Sequence, residues 1–131
     1  MGMTAYATLQ TLQYRLTAET VDARPTGWEV SLHSGAPGTD GTANEITDAN
    51  YVRQSIGFDV DVTNPALPFL ANDALITFPA ADAAFNVTHA VVWSTDGGDP
   101  EVSQRLQVDK SIAIGEAATF AVGEFTVGGN A

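Results

Sequence analysis

The sequence of 131 residues contains no cysteine, a single lysine (Lys110) and two histidines, His33 and His89. The lack of cysteine removes disulfides, thiolate nucleophiles and cysteine-ligated zinc together. With two histidines, most routes to an activated nucleophile are missing as well. No G-x-S-x-G, H-E-x-x-H or G-x-x-x-x-G-K-[ST] occurs. No apolar run approaches the roughly 20 residues of a membrane helix, and MGMTAYATLQ lacks the basic-then-apolar pattern of a signal peptide. Basic residues are scarce: 5 against 16 acidic, a net charge of −11. Phosphate backbones attract lysine and arginine, so nucleic acid is not an expected partner, and neither is a membrane. No enzymatic activity is expected.

What is present suits one globular domain spanning 1–131. Hydrophobic residues make up 44% and charged residues 16%, too apolar for wholesale disorder. Tyr6, Leu9, Leu12 and Leu16 recur at helical spacing in a stretch free of Gly and Pro, which predicts an amphipathic helix within a segment 1–24 closed by Arg24-Pro25. After Gly27 the period changes to two. WEVSLH places Trp28, Val30 and Leu32 on one face and Glu29, Ser31 and His33 on the other. SGAPGTDGTANE is turn chemistry. YVRQSIGF running into DVDV predicts one continuous strand face of Val52, Ile56, Phe58, Val60 and Val62. The segment from Asn64 to Asn72, broken by Pro65 and Pro68, reads as loop. LITF, VTHAVVW, QRLQV, SIAI, ATFAV and EFTV follow as short strands, with VTHAVVW covered on both faces and therefore central. The predicted fold is mainly β: an antiparallel β-sandwich, immunoglobulin-like or jelly-roll-like, over 27–128 with one N-terminal α-helix.

Several groupings invite a functional reading. His89, between Val87 and Val91, is expected as a hydrogen-bonded core histidine, and His33 as a surface histidine able to reach solvent or a neighbouring subunit. Asp59 and Asp61 point the same way at a spacing of roughly 7 Å, the geometry of paired glycosidase carboxylates, but nothing nearby raises their proton affinity, and a solvated acidic face is expected. Asp40, Asn44, Glu45 and Asp48 crowd one loop, and Asp96, Asp99 and Glu101 another. Calcium is the one ion this chemistry suits, yet neither loop follows D-x-[DN]-x-[DN]-G, so no cofactor or metal is expected. Trp28 and Trp93 are expected in the core, which leaves Tyr51 and Phe85 as candidate loop aromatics for stacking on a glycan.

Five segments resemble, in order, the small tail-fibre-like virion proteins of tailed bacteriophages. VSLHSGAPGTDGTANEI carries the signature strand and glycine loop through Leu32, His33, Gly35, Pro37, Gly38, Gly41, Asn44 and Glu45. YVRQ, ITFPAA, VTHAVVW and KSIAIGEAATFAVGEFTV match the remaining motifs. Ala36 departs from a position that is commonly acidic, and Asn64 to Asn72 is richer in Pro and Leu than usual. The resemblance implies a non-enzymatic structural module of the virion, made in the host cytoplasm and placed on the particle surface. A free-standing acidic module suits a repeated accessory subunit, a capsid decoration protein or a head or tail knob. The alternative is a tail-fibre or receptor-binding module that recognises host-surface glycans. Expected partners are other virion proteins, such as capsid or tail subunits, and further copies of the chain. A trimer is the expected assembly, with the Tyr6, Leu9, Leu12 and Leu16 stripe at the contact.

The charge balance carries its own consequence. Self-repulsion among excess carboxylates opposes the compact state and is screened by salt, so the composition suits a saline setting. The melting temperature is expected to rise substantially from low salt to molar sodium chloride; a flat series would remove the saline inference.

Overall fold

The computed structural model describes residues 3–128. Thr4 caps the first element, its hydroxyl accepting the Ala7 N–H at 3.1 Å, and helix α1 (Ala5–Leu16) follows. It ends at Thr17, whose N–H and hydroxyl both donate to the Gln13 carbonyl. Among the described residues nine strands come after it: β1 (Trp28–His33), β2 (Gln54–Ile56), β3 (Phe58–Asp61), β4 (Phe69–Asn72), β5 (Ile76–Thr77), β6 (Phe85–Ser94), β7 (Pro100–Ile112), β8 (Thr119–Phe120) and β9 (Thr126–Gly128).

The main sheet has the order β2-β1-β6-β7, and every pairing is antiparallel. Facing it are two small antiparallel sheets, β3-β4-β9 and β5-β8. The core lies between these layers. Val30, Leu32, Ala90 and Val92 come from the main sheet, and Ile76, Phe78, Phe120, Phe125 and Val127 from the opposing layer. Phe120 meets Phe125 edge to face at 5.4 Å between centroids, and Phe78 meets Phe120 in the same way at 6.4 Å. Each such buried ring contributes roughly 1.5–3 kcal/mol from area alone. The chain is thus the expected mainly-β antiparallel sandwich with a helix before it.

Three local readings are corrected. The run YVRQSIGFDVDV is not one strand: Gly57 divides it, and β2 and β3 lie in different layers. The Gly57 carbonyl accepts the Asp73 N–H at 3.1 Å, and a Cβ at Gly57 would sit 2.8 Å from the Asp73 carboxylate. Glycine therefore marks a sheet crossing, and Val52, Val60 and Val62 end up exposed while Ile56 is buried. The segment Asn64 to Asn72 is loop only to Pro68, and Phe69–Asn72 form β4, the middle strand of its sheet. Proline just before the first ladder residue costs the sheet no donor. QRLQV and SIAI are joined in the thirteen-residue β7, whose register against β6 shifts between Val87 and His89. That irregularity brings Val87 and Ala90, three apart, into the same core. β6 lies between β1 and β7, the central place its two apolar faces predicted.

Asn72 joins the opposing layer to the turn before β9. Its side-chain amide donates to the Ala74 and Ala121 carbonyls, both at 2.9 Å, and its Oδ1 accepts the Phe125 N–H at 2.9 Å. It is 2% exposed, so water cannot replace these bonds. Asn72→Ala is expected to lower unfolding free energy by about 2–4 kcal/mol, read from urea denaturation; a loss under about 1 kcal/mol would show that the turn finds other partners.

Candidate functional site

The outer face of β1 does not face solvent. Glu29, Ser31 and His33 alternate there, as the period of two predicts, but Ser31 and His33 are fully buried. The loop after β1 folds back over them. Ser34 N–H donates to Asn44 O at 2.9 Å, Ala43 N–H to Pro37 O at 2.8 Å, and Ile46 N–H to Leu32 O at 2.9 Å. Asn44 holds φ at +62°, a left-handed conformation that a short amide side chain tolerates, and its Nδ2 donates to Ala36 O at 2.8 Å. Gly41 brings the loop against the sheet. With φ +78°, a Cβ there would lie 3.2 Å from the Trp93 ring and 3.3 Å from Pro100.

Beneath the loop runs a hydrogen-bonded chain. Trp93 Nε1–H donates to Ser31 Oγ at 2.8 Å, and Ser31 Oγ stands 2.8 Å from His33 Nε2. His33 Nδ1 lies 2.8 Å from the Ala43 carbonyl, which can only accept. The proton is therefore assigned to Nδ1, and Nε2 accepts from the serine. Burial pushes His33 below its ordinary value, with the Arg53 and His89 charges in the same direction; the Ala43 bond and Glu45 oppose them. The expected surface histidine is thus a neutral internal strut, because both faces of β1 are covered.

Arg53 closes the edge of this layer. Its Nε and Nη2 each donate to Glu45 at 2.9 Å, its Nη1 to Glu29 at 3.3 Å, and its guanidinium lies 4.4 Å from the Trp93 ring centroid. Burial alone would raise the Glu45 carboxyl, but the bonds from Arg53 and Tyr51 outweigh it and hold Glu45 below its usual range. Tyr51 OH donates to Glu45 at 2.7 Å and accepts the Leu32 N–H at 3.0 Å. The Leu32 amide lies beyond the end of the β1–β2 pairing, so a side-chain hydroxyl replaces the missing strand. Among the described residues no buried side-chain polar atom lacks a partner.

This layer is built from two of the resembling segments: His33 at the end of β1, Pro37, Gly38, Gly41, Asn44 and Glu45 in the loop, and Tyr51 and Arg53 from YVRQ. The family model described as Podophage GP4 fiber I protein gp80 matches residues 2–128. The chain belongs to that family. No curated protein matches it. The resemblance to tail-fibre-like virion proteins is thereby confirmed, and residues of VSLHSGAPGTDGTANEI and YVRQ form a clasp that seals one sheet face. Ser31 and Trp93 complete the clasp without having been singled out as site residues; the signal was a polar alternation, Glu29-Ser31-His33, on a strand leading into the loop.

The other candidates are dispersed. His89 pairs across the sheet with His33, but is half-buried, with Nδ1 2.7 Å from Thr88 Oγ1. Tyr51 stacks on Phe78, and Phe85 packs against the core, so neither is the exposed loop aromatic a glycan platform needs. Asp61 is held below its usual range by the Thr63 N–H and hydroxyl, the opposite of a general acid. In the calcium-like loops Asp40 bonds Thr42, Glu45 bonds Arg53, and Asp48 accepts the N–H groups of Asn50, Asp82 and Ala83. Among the described residues no group of three or more His, Asp or Glu is gathered to hold a metal ion. Of the helix residues, Leu9, Leu12 and Leu16 are exposed, while Tyr6 turns aside and donates to Asp22.

The buried neutral histidine makes stability depend on pH. The unfolded chain binds a proton near 6.5 that the folded chain resists, so His33 stabilises fully above that value and its contribution is lost as pH falls below it. His89, lowered first by its own burial and then by Arg105, acts in the same direction. The melting temperature is expected to fall between about pH 7 and about pH 5, and His33→Gln to flatten much of that slope. A profile level across this range would contradict the neutral strut.

Proposed function

We propose that the chain is a non-enzymatic structural subunit of a phage fibre, contributing a rigid, acidic sandwich whose signature motifs hold its own fold together. The family match over 2–128 carries this reading. The clasp supports it: His33, Glu45, Tyr51 and Arg53, the residues best equipped for chemistry, bond to one another or to backbone rather than lining an open cleft. The capsid decoration subunit, which the acidity also suits, is the competing placement within the virion. A glycan-binding role lacks its aromatic platform at Tyr51 and Phe85 and is not favoured.

The two placements separate on the particle. Antibody raised against the purified chain is expected to label fibres of intact virions viewed by electron microscopy, at a few discrete positions around the tail. Label spread evenly over the capsid shell would overturn the fibre placement in favour of decoration.

A further inference from the structure

Strand β3 lies at the end of the sheet β3-β4-β9, and among the described residues no strand pairs with its outer side. The ladder fixes what that side offers. The Asp73 N–H donates to the Gly57 carbonyl at 3.1 Å, and the Asn72 N–H to the Phe125 carbonyl at 3.0 Å. Antiparallel partners alternate between bonded and non-bonded pairs, so Asp59 and Asp61 turn their backbone groups towards Ala71 and Phe69. Val60, between them, turns its N–H and C=O away from β4. Two other sheet edges are guarded. Met3 and Thr4 lie along β7 at Val102 and Glu101, and Gln104 Nε2 donates to the Thr126 carbonyl of β9 at 2.8 Å. The Val60 side chain is as open as its backbone. Phe58 packs on Phe125 with ring centroids 6.3 Å apart, but Val60, next on that inner face, is 63% exposed.

The register across the sheet sets the pattern of a strand that would complete this edge. Val60 stands in one row with Leu70 and Val127. An apolar side chain placed beside Val60 would lengthen that row. Asp59 and Asp61 point to the opposite face, so the residues on either side of the apolar one would meet carboxylates and suit arginine or lysine. The chain supplies no such partner nearby in sequence: no lysine or arginine stands between Arg53 and Arg105. A second copy is a poor occupant, because it would set Asp59 and Asp61 against their own likes. Phosphates of lipid or nucleic acid meet the same repulsion. Unmet backbone donors and acceptors call for another polypeptide backbone. We propose that the β3 edge is a docking site for an extended segment of a different protein, an apolar residue flanked by basic ones, which joins the sheet as a further strand. This goes beyond the fibre reading and holds wherever on the virion the subunit sits.

The test must separate strand addition from simple attraction of a cation to an acidic protein. The probe is a short peptide of alternating arginine and valine, titrated calorimetrically into the full chain. Binding is expected with a Kd of roughly 100 µM, weakening in about 0.5 M sodium chloride. Methylating the valine amide nitrogens keeps the peptide's charge but removes the donors that would reach Val60, and is expected to weaken binding roughly tenfold or more. Val60→Pro removes a donor that the β3–β4 ladder does not use, so it is expected to abolish binding with the melting temperature kept. The methylated peptide makes the same test on the native chain. Hydrogen exchange of the Val60 amide is expected to slow when the unmodified peptide is bound. No binding at about 1 mM peptide overturns the proposal. So does equal binding of a glutamate–valine peptide, undiminished binding of the methylated one, or binding that leaves Val60 exchange unchanged.

Discussion

The guanidinium of Arg53 sits between two carboxylates and above an indole, and the outer face of the main sheet depends on it. Remove the charge and Glu45 is left half-buried beside Glu29 with no counter-ion. Glu45 then no longer orients Tyr51, whose hydroxyl holds the Leu32 amide at the unpaired end of β1. Glu45 also pairs across a bridge with His33, so the loop's return to β1 lies in the same assembly. Arginine suits the position where lysine would not, because only a planar fork both grips a carboxylate at two points and stacks on Trp93.

Such a layer stabilises less than its bond count suggests. Taking a carboxylate and a guanidinium partly out of water costs much of what their attraction returns, and apolar side chains of similar volume would hold the face at least as firmly. What the polar layer adds is a single geometry. Its donors are matched to particular acceptors, and shifting the loop by one residue would strand His33 Nδ1 and Ala43 O together. Gly41 enforces the same register sterically, since only a residue without Cβ lies flat on Trp93 and Pro100.

How much of this was legible in the sequence depended on range. WEVSLH and VTHAVVW were readable because alternation and apolar content are local properties, and both became strands of the main sheet. The helix was readable for the same reason, and its cap at Thr4 fits the chemistry of its first turn. The sheet crossing at Gly57 was not, because the apolar parity continues through it and only the approach of Asp73, sixteen residues on, shows why glycine stands there. β4 was hidden behind Pro65 and Pro68, although neither lies in its ladder. His33 was misplaced for a subtler reason: a polar alternation on one strand face normally means water, and the loop that displaces the water is the very segment whose glycines read as a turn. The motif residues of the candidate site were thus found as a family signature, while their shared purpose needed the fold.

The molecule divides its surface between a face closed against everything and a face closed against nothing. On one side of the main sheet, motif residues from β1, the following loop, β2's approach and β6 satisfy one another and leave no free valence. At β7 the helix is held by its cap Thr4 and by the buried Ala7, and its leucines are exposed. A catalyst needs the reverse, a cleft whose polar groups are incompletely paired until substrate arrives. A structural subunit needs this arrangement instead: a body that keeps its shape when crowded. Because α1 is tied to the sandwich at Pro100 and Glu101 of β7, the Phe78, Phe120 and Phe125 core and the Arg53 clasp are built without any of its residues.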